Sequence, residues 1–510
     1  MAQEKMKKGK VYLVGAGPGE PDLITIRGMQ IIGLADCIIY DKLVNPALLE
    51  FARSGAEIIH TPKRQTENSF TQQQINEVMV EKALEGKIVV RLKGGDPWIF
   101  SRGPEEAKIL KQAGIDFEIV PGVTAGIAAA EYAGLMLSER SLSSQIIFIT
   151  GQEAAGKEES GIDWDLLAKF RGTLVFYMVV TSLELIVQRL IENGLDSATP
   201  AAVVANATLP TQVIVKSKLG ELFGKCTEKK IEPPAIIFIG KAVGSDWDFN
   251  WFMKKPLFGK NIVLTRDSRG NSEFSTKIIR AGGNPISFET FRIHPLTGST
   301  EFLDALTSIA EYDWVIFTSA NGVDVFFKCI YDLKKDARIL GHSKIAAVGA
   351  TTKERLACYG ISADFVPDVY TSKQLAVQLI NFTSLHGKKV LLLRSELADE
   401  DLDKVLGEGG AQINRLDVYT AAAAETETKF MMEELENKQI DCITFTSPSC
   451  VKYFFEKLEL SLVLSSGAKI ASIGPVTSEA LKKAGAKIDI EAATHTIDGL
   501  LEAMESVYKK

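Results

Sequence analysis

VYLVGAGPGEPDLIT (residues 11–25) is the stretch that decides the fold class. A short apolar run ends at Gly15, a glycine-rich turn follows, and an amphipathic stretch continues to about Ala35, where a second apolar run, CIIY (37–40), begins. Strand, turn, helix, strand is the unit of a parallel sheet with crossover helices. Outward from there the rhythm recurs as EII, a helix over Gln72–Leu84 and KIVVRL (87–92). PGVTAG (121–126) interrupts it, and a second set of strands runs through IIFIT (146–150), TLVFYM (173–178), AAVVA (201–205) and AIIFIG (235–240). This reads as two α/β lobes, residues 9–122 and 123–244. The aromatic-rich segment 245–258, with a Pro among its Trp and Phe residues, reads as a linker that docks on a surface.

Beyond it the chain repeats itself. GKNIVLTR (259–266) resembles GKKVLLLR (387–394), 128 positions on, and DWVIFTSANGVDVFF (313–327) matches DCITFTSPSCVKYFF (441–455) at the same offset with seven of fifteen positions identical. KIAAVGATTKERLACYG (344–360) matches KIASIGPVTSEALKKAG (469–485), offset 125, with eight of seventeen identical, and Tyr370-Thr371 then falls on His495-Thr496. Co-linear matches of this kind mean a duplicated α/β unit. Each FTS ends a strand and opens a helix, where Thr or Ser caps the first turn and backbone N–H groups face outward. VGATT and IGPVT are expected to do the same, giving helix N-termini suited to carboxylates.

Length and composition bound the rest. At about 150 residues per domain, 510 residues give three to four domains. A hydrophobic fraction of 46% and a charged fraction of 24% are globular values and exclude a disordered or collagen-like chain. The balance of 58 basic and 65 acidic residues, −7, offers no global field for nucleic acid or an anionic membrane. Six scattered cysteines without a CxxC, and only five histidines, point to reduced intracellular thiols and no metal cluster. The basic start MAQEKMKKGK leads into an apolar run that stops at Gly15, too short for a signal core. No stretch approaches the ~18 apolar residues of a membrane span. A cytoplasmic protein is expected.

Two glycine-rich turns carry the chemistry. GAGPGE with Asp41, 26 residues beyond Gly15, approaches a dinucleotide fingerprint, but Glu20 stands where the last glycine belongs and Pro21-Asp22 intervene before the helix. RLKGGDPWIFSRG (91–103) lets the backbone approach a ligand at Gly94 and Gly95, lacks the Lys-Ser/Thr of a phosphate loop, and places Asp96 at the turn, which suits a cationic or hydroxyl-bearing ligand. A nicotinamide or flavin oxidoreductase stays open at this level.

GAGPGEPDLIT, YDKLV (40–44), QQIN (73–76), VVRLKGGDPWIFSRG, VPGVTAG, YM (177–178) and PAAVVANATLPTQ (200–212) together resemble the tetrapyrrole methylases, and most of all uroporphyrinogen-III C-methyltransferase, over roughly residues 9–244. FTSANGV, PDVYTSKQL (367–375), VYTAAA and FTSPSCV resemble uroporphyrinogen-III synthase over roughly 258–510. The resemblance implies a two-lobed methylase-like α/β pair followed by a duplicated two-lobed synthase-like α/β region, with residues 259–292 plus 425–510 as one lobe and 293–424 as the other.

The methylase resemblance implies two methyl transfers from S-adenosylmethionine to C2 and C7 of uroporphyrinogen III, giving precorrin-2 for sirohaem or cobalamin synthesis, without a metal. It implies Asp41 as proton acceptor and Lys63 as proton donor. Pro18, Gly94, Gly95, Asp96, Ile99, Thr124, Ala125, Met178 and Ala207 would contact the adenosyl ligand, and a homodimer would form through this half. Arg91, Arg102 and Arg140 are candidates for substrate carboxylates, because guanidinium pairs with them bidentately. The synthase resemblance implies cyclisation of hydroxymethylbilane with loss of water. Tyr370 is the candidate acid, and Thr318, Ser319, Ser447 and Thr477 are candidate binders. Departures from the family pattern are Lys42 for Arg, Ala130 and Met136 for Pro, Glu139 for His and Ala207 for Gly. Rival readings are a later precorrin methyltransferase and a C-terminal half that only binds.

Overall fold

A computed structural model describes residues 8–53, 55–61, 70–152, 161–245, 247–398 and 400–509. Its contacts divide the chain into two units, residues 1–262 with 275–286 and 504–510, and residues 263–274 with 287–503.

The first sheet takes β1 (Lys10–Gly15), β2 (Cys37–Tyr40), β3 (Glu57–His60), β4 (Ile88–Lys93) and β5 (Asp116–Val120) in the order β3-β2-β4-β1-β5. Its pairings are parallel. Strand alternation feeds two cores: Val11 and Leu13 point into one cluster with Ile75, Met79 and Leu110, while Val14 joins Ile31, Ile38 and Leu48 on the other face. The helix Gln72–Leu84 forms as the sequence dictates. Thr71 and Gln74 make a capping box, and Ile75, Met79 and Ala83 recur every four residues on its buried face.

The second sheet holds β6 (Ile146–Thr150), β7 (Thr173–Tyr177), β8 (Pro200–Ala205), β9 (Val213–Lys218) and β10 (Ala235–Ile239), ordered β6-β7-β10-β8-β9. The expectation of parallel strands fails here. Only β6–β7 is parallel, and β10 runs antiparallel to β7 and β8, as β9 does to β8. The loop 206–212 between β8 and β9 is too short for a crossover, so the two must form a hairpin. β9, VIVKSK, is an edge strand carrying two lysines, so no apolar run announces it. Past β10, Phe252 and Leu257 are buried. Phe252 packs on Tyr132 (ring centroids 4.9 Å apart), and the Trp251 indole donates to the Glu131 carbonyl at 3.3 Å.

In the last half, β11 (Asn261–Leu264) and β12 (Asn284–Ser287) begin a third sheet. The chain then builds a fourth from β13 (Phe291–Pro295), β14 (Trp314–Phe317), β15 (Lys344–Ala347), β16 (Lys389–Ser395) and β17 (Gln412–Ala423), and returns with β18 (Cys442–Phe445), β19 (Lys469–Ser472) and β20 (Ile490–Glu491). The orders are β12-β11-β18-β19-β20 and β13-β17-β16-β14-β15. The sequence repeat is visible in them. β11-β18-β19 and β16-β14-β15 are the same three repeated stretches in the same spatial order, although β11 comes first in the chain and β16 last.

All six cysteines are free thiols, and burial pushes Cys37 and Cys226 each up to about 11. Among the described residues no helix is long and apolar enough to cross a membrane, and no group of His, Cys, Asp or Glu is placed to hold a metal.

Candidate active sites

In open α/β sheets ligands bind outside the carboxyl ends of the strands, and in the first sheet that edge is made of glycine. A Cβ on Gly15, at the end of β1, would lie 2.6 Å from the Gly122 Cα and 2.7 Å from the Gly95 oxygen, and one on Gly122 would collide with the Gly95 carbonyl. The GAGPG turn, the GGD turn and the PGVT turn therefore touch through bare backbone. Gly17 and Gly95 exchange backbone hydrogen bonds of 3.2 and 2.6 Å, and Gly95 sits at φ +69° with the Ala125 N–H beside it. Asp96 locks the turn: one carboxylate oxygen accepts from the Trp98 and Ile99 N–H groups (2.8 and 3.0 Å), the other from Gly122 N–H (3.0 Å).

The second lobe completes this rim. Thr124 and Tyr177 share a hydroxyl contact of 2.9 Å, and Gly126 N–H donates to the same phenol at 2.9 Å. Burial pushes the Tyr177 phenol up, against the pull of Thr124 and Gly126. Phe100 packs against the Tyr177 ring in a tilted arrangement (centroids 5.1 Å apart), and Met178 follows Tyr177 at φ +55°. The 206–208 loop reaches the first turn through Thr208, whose hydroxyl accepts from Glu20 N–H at 3.0 Å. Pro18, Gly94, Gly95, Asp96, Ile99, Thr124, Ala125, Met178 and Ala207 thus lie on one connected set of loops. Phe100, Met178, Asn206 and Thr208 are non-glycine residues at positive φ in these loops. Strain of that kind collects at functional sites, and nothing in the sequence announced it.

Below the rim lies a buried charge cluster. Asp41, at the end of β2, accepts from Leu43 N–H (3.2 Å) and meets Arg91 Nη2 at 3.4 Å, with its side chain 17% exposed. Arg91 was expected to meet a substrate carboxylate, and the structure corrects this. Its side chain is 0% exposed; Nε pairs with Glu106 at 3.2 Å and Nη1 donates to the Ile39 and Leu92 carbonyls (3.3 and 3.1 Å). Lys93 closes the cluster on the other oxygen of Glu106 at 3.0 Å, and the Gln72 amide donates to Glu106 at 3.0 Å. Burial pushes Glu106 up, but Arg91 and Lys93 together outweigh it and hold the carboxyl below its ordinary range. At Lys93 burial and the neighbouring Arg91 outweigh the pull of Glu106 and Asp41 and lower it.

Glu106 and Lys93 escaped the sequence reading. A glutamate in a helix's first turn reads as a macrodipole partner, and only the fold brings β4 beneath it. Arg102 is exposed and faces Glu105 at 3.5 Å, and Arg140 is exposed. Lys63 lies outside the described residues.

In the last half, Ser319 caps the helix Ala320–Asp332 by accepting from Gly322 N–H (3.0 Å), and its hydroxyl is 3.0 Å from that of Tyr419. Thr318 donates to the Leu393 carbonyl at 3.2 Å. Ser447 caps the helix Pro448–Phe455 through Cys450 N–H at 3.2 Å. The two other helices depart from expectation. Gly349 and Gly474 are their N-caps, with no side-chain cap. Thr477, expected to bind through its hydroxyl, is 3% exposed and packs inside the first turn of its helix. Tyr370 is 52% exposed and stands over Gly349, where a Cβ would meet its ring at 3.0 Å; His495 stands in the same way over Gly474. Thr318 and Ser319 follow β14 of the fourth sheet, whereas Ser447 and Thr477 follow β18 and β19 of the third.

Residues 10–222 match the family described as tetrapyrrole (corrin/porphyrin) methylases, and residues 272–502 match uroporphyrinogen-III synthase HemD. The porphyrin biosynthesis protein HemD of Ruminiclostridium josui is 34% identical over 499 residues, 98% of each chain. Uroporphyrinogen-III C-methyltransferase of Priestia megaterium is 48% identical over 46% of this chain and 98% of its own. The S-adenosyl-L-methionine-dependent uroporphyrinogen III methyltransferase of Methanosarcina barkeri is 45% identical over 46% of this chain and 92% of its own. With a methylase family matched at one end, a synthase family at the other and a relative aligned almost from end to end, the chain belongs to the tetrapyrrole methylases through its N-terminal half and to the uroporphyrinogen-III synthases through its C-terminal half.

Proposed function

We propose that the C-terminal half cyclises hydroxymethylbilane to uroporphyrinogen III with loss of water, and that the N-terminal half methylates that product at C2 and C7 to precorrin-2, which feeds sirohaem or cobalamin synthesis. The chain is a bifunctional enzyme of tetrapyrrole biosynthesis. What carries the finer reading is the union of these two halves in one chain, because the product of the second is the substrate of the first. The proposed setting is the cytoplasm, with the methylase half as a homodimer.

The glycine seam fits a cofactor that must lie against backbone, since side chains on Gly15 or Gly122 would drive the three turns apart. When bound, S-adenosylmethionine supplies the methyl group. Pro18, Gly94, Gly95, Ile99, Thr124, Ala125, Met178 and Ala207 would hold it, and Asp96 keeps the turn in shape. Positioning the two reactants in line supplies much of the acceleration. Asp41, the least buried member of the charge cluster, accepts the pyrrole N–H proton released as the ring carbon gains its methyl. Lys63 would return a proton. In the synthase half Tyr370, over an uncapped helix N-terminus, assists departure of the hydroxyl, and Ser319 and Ser447 orient the amides that meet carboxylates.

One incubation tests the proposal. Hydroxymethylbilane with S-adenosylmethionine and the full chain should give precorrin-2 and two equivalents of S-adenosylhomocysteine. Turnover of uroporphyrinogen III but not of hydroxymethylbilane would overturn the synthase assignment alone.

A further inference from the structure

The buried cluster behind Asp41 holds three groups that cannot touch substrate. Arg91 and Glu106 are 0% exposed and Lys93 is 4% exposed, whereas Asp41 is 17% exposed at the rim. The charges sum to zero: Arg91 and Lys93 positive, Asp41 and Glu106 negative. Among the described residues the ionisable side chains on Glu106 are Arg91 and Lys93 of β4, joined by the neutral Gln72 of the helix Gln72–Leu84; the one on Asp41 is Arg91, and Lys93 feels Asp41 through space.

We infer that Glu106 and Lys93 are positioning residues for methyl transfer, which fix through Arg91 both the orientation of Asp41 and the charge against which it takes up its proton. The inference rests on Asp41 being the proton acceptor. Arg91 can aim Nη2 at Asp41 only because Nε is held by Glu106 and Nη1 by the Ile39 and Leu92 carbonyls. When the pyrrole N–H bond breaks and its proton joins the Asp41 carboxylate, the cluster passes from zero to one net positive charge. Without Glu106 the same step would start from one positive charge and end at two, against two uncompensated buried cations. Asp41 would then be the weaker base. Without Lys93 the step would run from minus one to zero and favour proton uptake.

The test uses the full chain, uroporphyrinogen III and saturating S-adenosylmethionine, with the pH profile of kcat as readout. Glu106→Gln should lower kcat at neutral pH and move the acid limb down by about one pH unit. Lys93→Met should move it up, and the double variant should return it to the wild-type position. A purely structural role would reduce activity without moving the limb in opposite directions. If Glu106→Gln does not fold, Lys93→Met decides by itself. An unmoved limb, or shifts of the same sign, overturns the inference while loss of methylation in Asp41→Asn leaves the base assignment standing. Full methylation by Asp41→Asn overturns both.

Discussion

The carboxyl edge of the first sheet and the corresponding edges of the third and fourth sheets solve different problems with the same architecture. In each, strands deliver loops and helix N-termini to one rim. In the first sheet the rim is glycine packed on glycine, and beneath it Asp41, Arg91, Glu106 and Lys93 form a buried ionic cluster with one acid left at the surface. In the other two the rim is hydroxyl caps at Ser319 and Ser447 and bare glycine caps at Gly349 and Gly474, with an exposed ring over each glycine. A carboxylate held in a controlled charge environment would suit a reaction that must remove a proton from a chosen atom. Backbone amides at helix N-termini suit a flexible polyanion that must be held while it folds on itself.

The largest expected effect breaks this contrast at its centre. Asp41→Asn keeps the shape of the rim but removes the base, so methylation should fall by about 10²–10⁴-fold. Cyclisation of hydroxymethylbilane, measured in the same preparation, should be unchanged. A variant that lost both activities equally would mean that the two rims do not work separately.

Next in size is the glycine seam. Gly122→Ala forces its Cβ against the Gly95 carbonyl, and overpacking of this kind costs about 1–3 kcal/mol. A ligand at 100 times its Kd stabilises the wild type by about 2.7 kcal/mol, so S-adenosylhomocysteine should raise the Tm of the wild type and not that of Gly122→Ala. NAD should raise neither. A rise with NAD in place of S-adenosylhomocysteine would return the GAGPG turn to the dinucleotide reading.

What the sequence made legible follows the same division. The α/β class, the duplication and the helix Gln72–Leu84 were readable because periodicity, self-similarity and a capping box are local signals. The hairpin β8–β9 was not, because an edge strand with two lysines lacks an apolar run and its direction is set by a loop length. At the site, the glycine turns could be read, since glycine marks where a backbone must come close. Arg91 could not: an arginine on a strand looks the same whether it faces a ligand or Glu106, and 15 residues separate it from that partner. Likewise the caps at Ser319 and Ser447 followed from their FTS repeats, whereas VGATT and IGPVT suggested Thr caps where glycine takes the position.

The smallest effect sharpens the comparison between the two synthase sheets. Ser319→Ala and Ser447→Ala each remove an N-cap, with a cost of about 1 kcal/mol and a fall in Tm of about 2–4 °C for a region of this size. The two sites differ in what remains. Ser319 also meets the buried Tyr419 hydroxyl, whose proton burial holds more tightly than usual, whereas Ser447 meets the Cys450 thiol at 3.2 Å, a weak partner. Losing a partner of a buried hydroxyl costs more than losing one of a thiol, so Ser319→Ala should be the more destabilising. If the duplicated caps act together on substrate, both variants should raise KM for hydroxymethylbilane while methylation of added uroporphyrinogen III stays at the wild-type rate. A rise with only one of them would assign the polyanion to a single sheet.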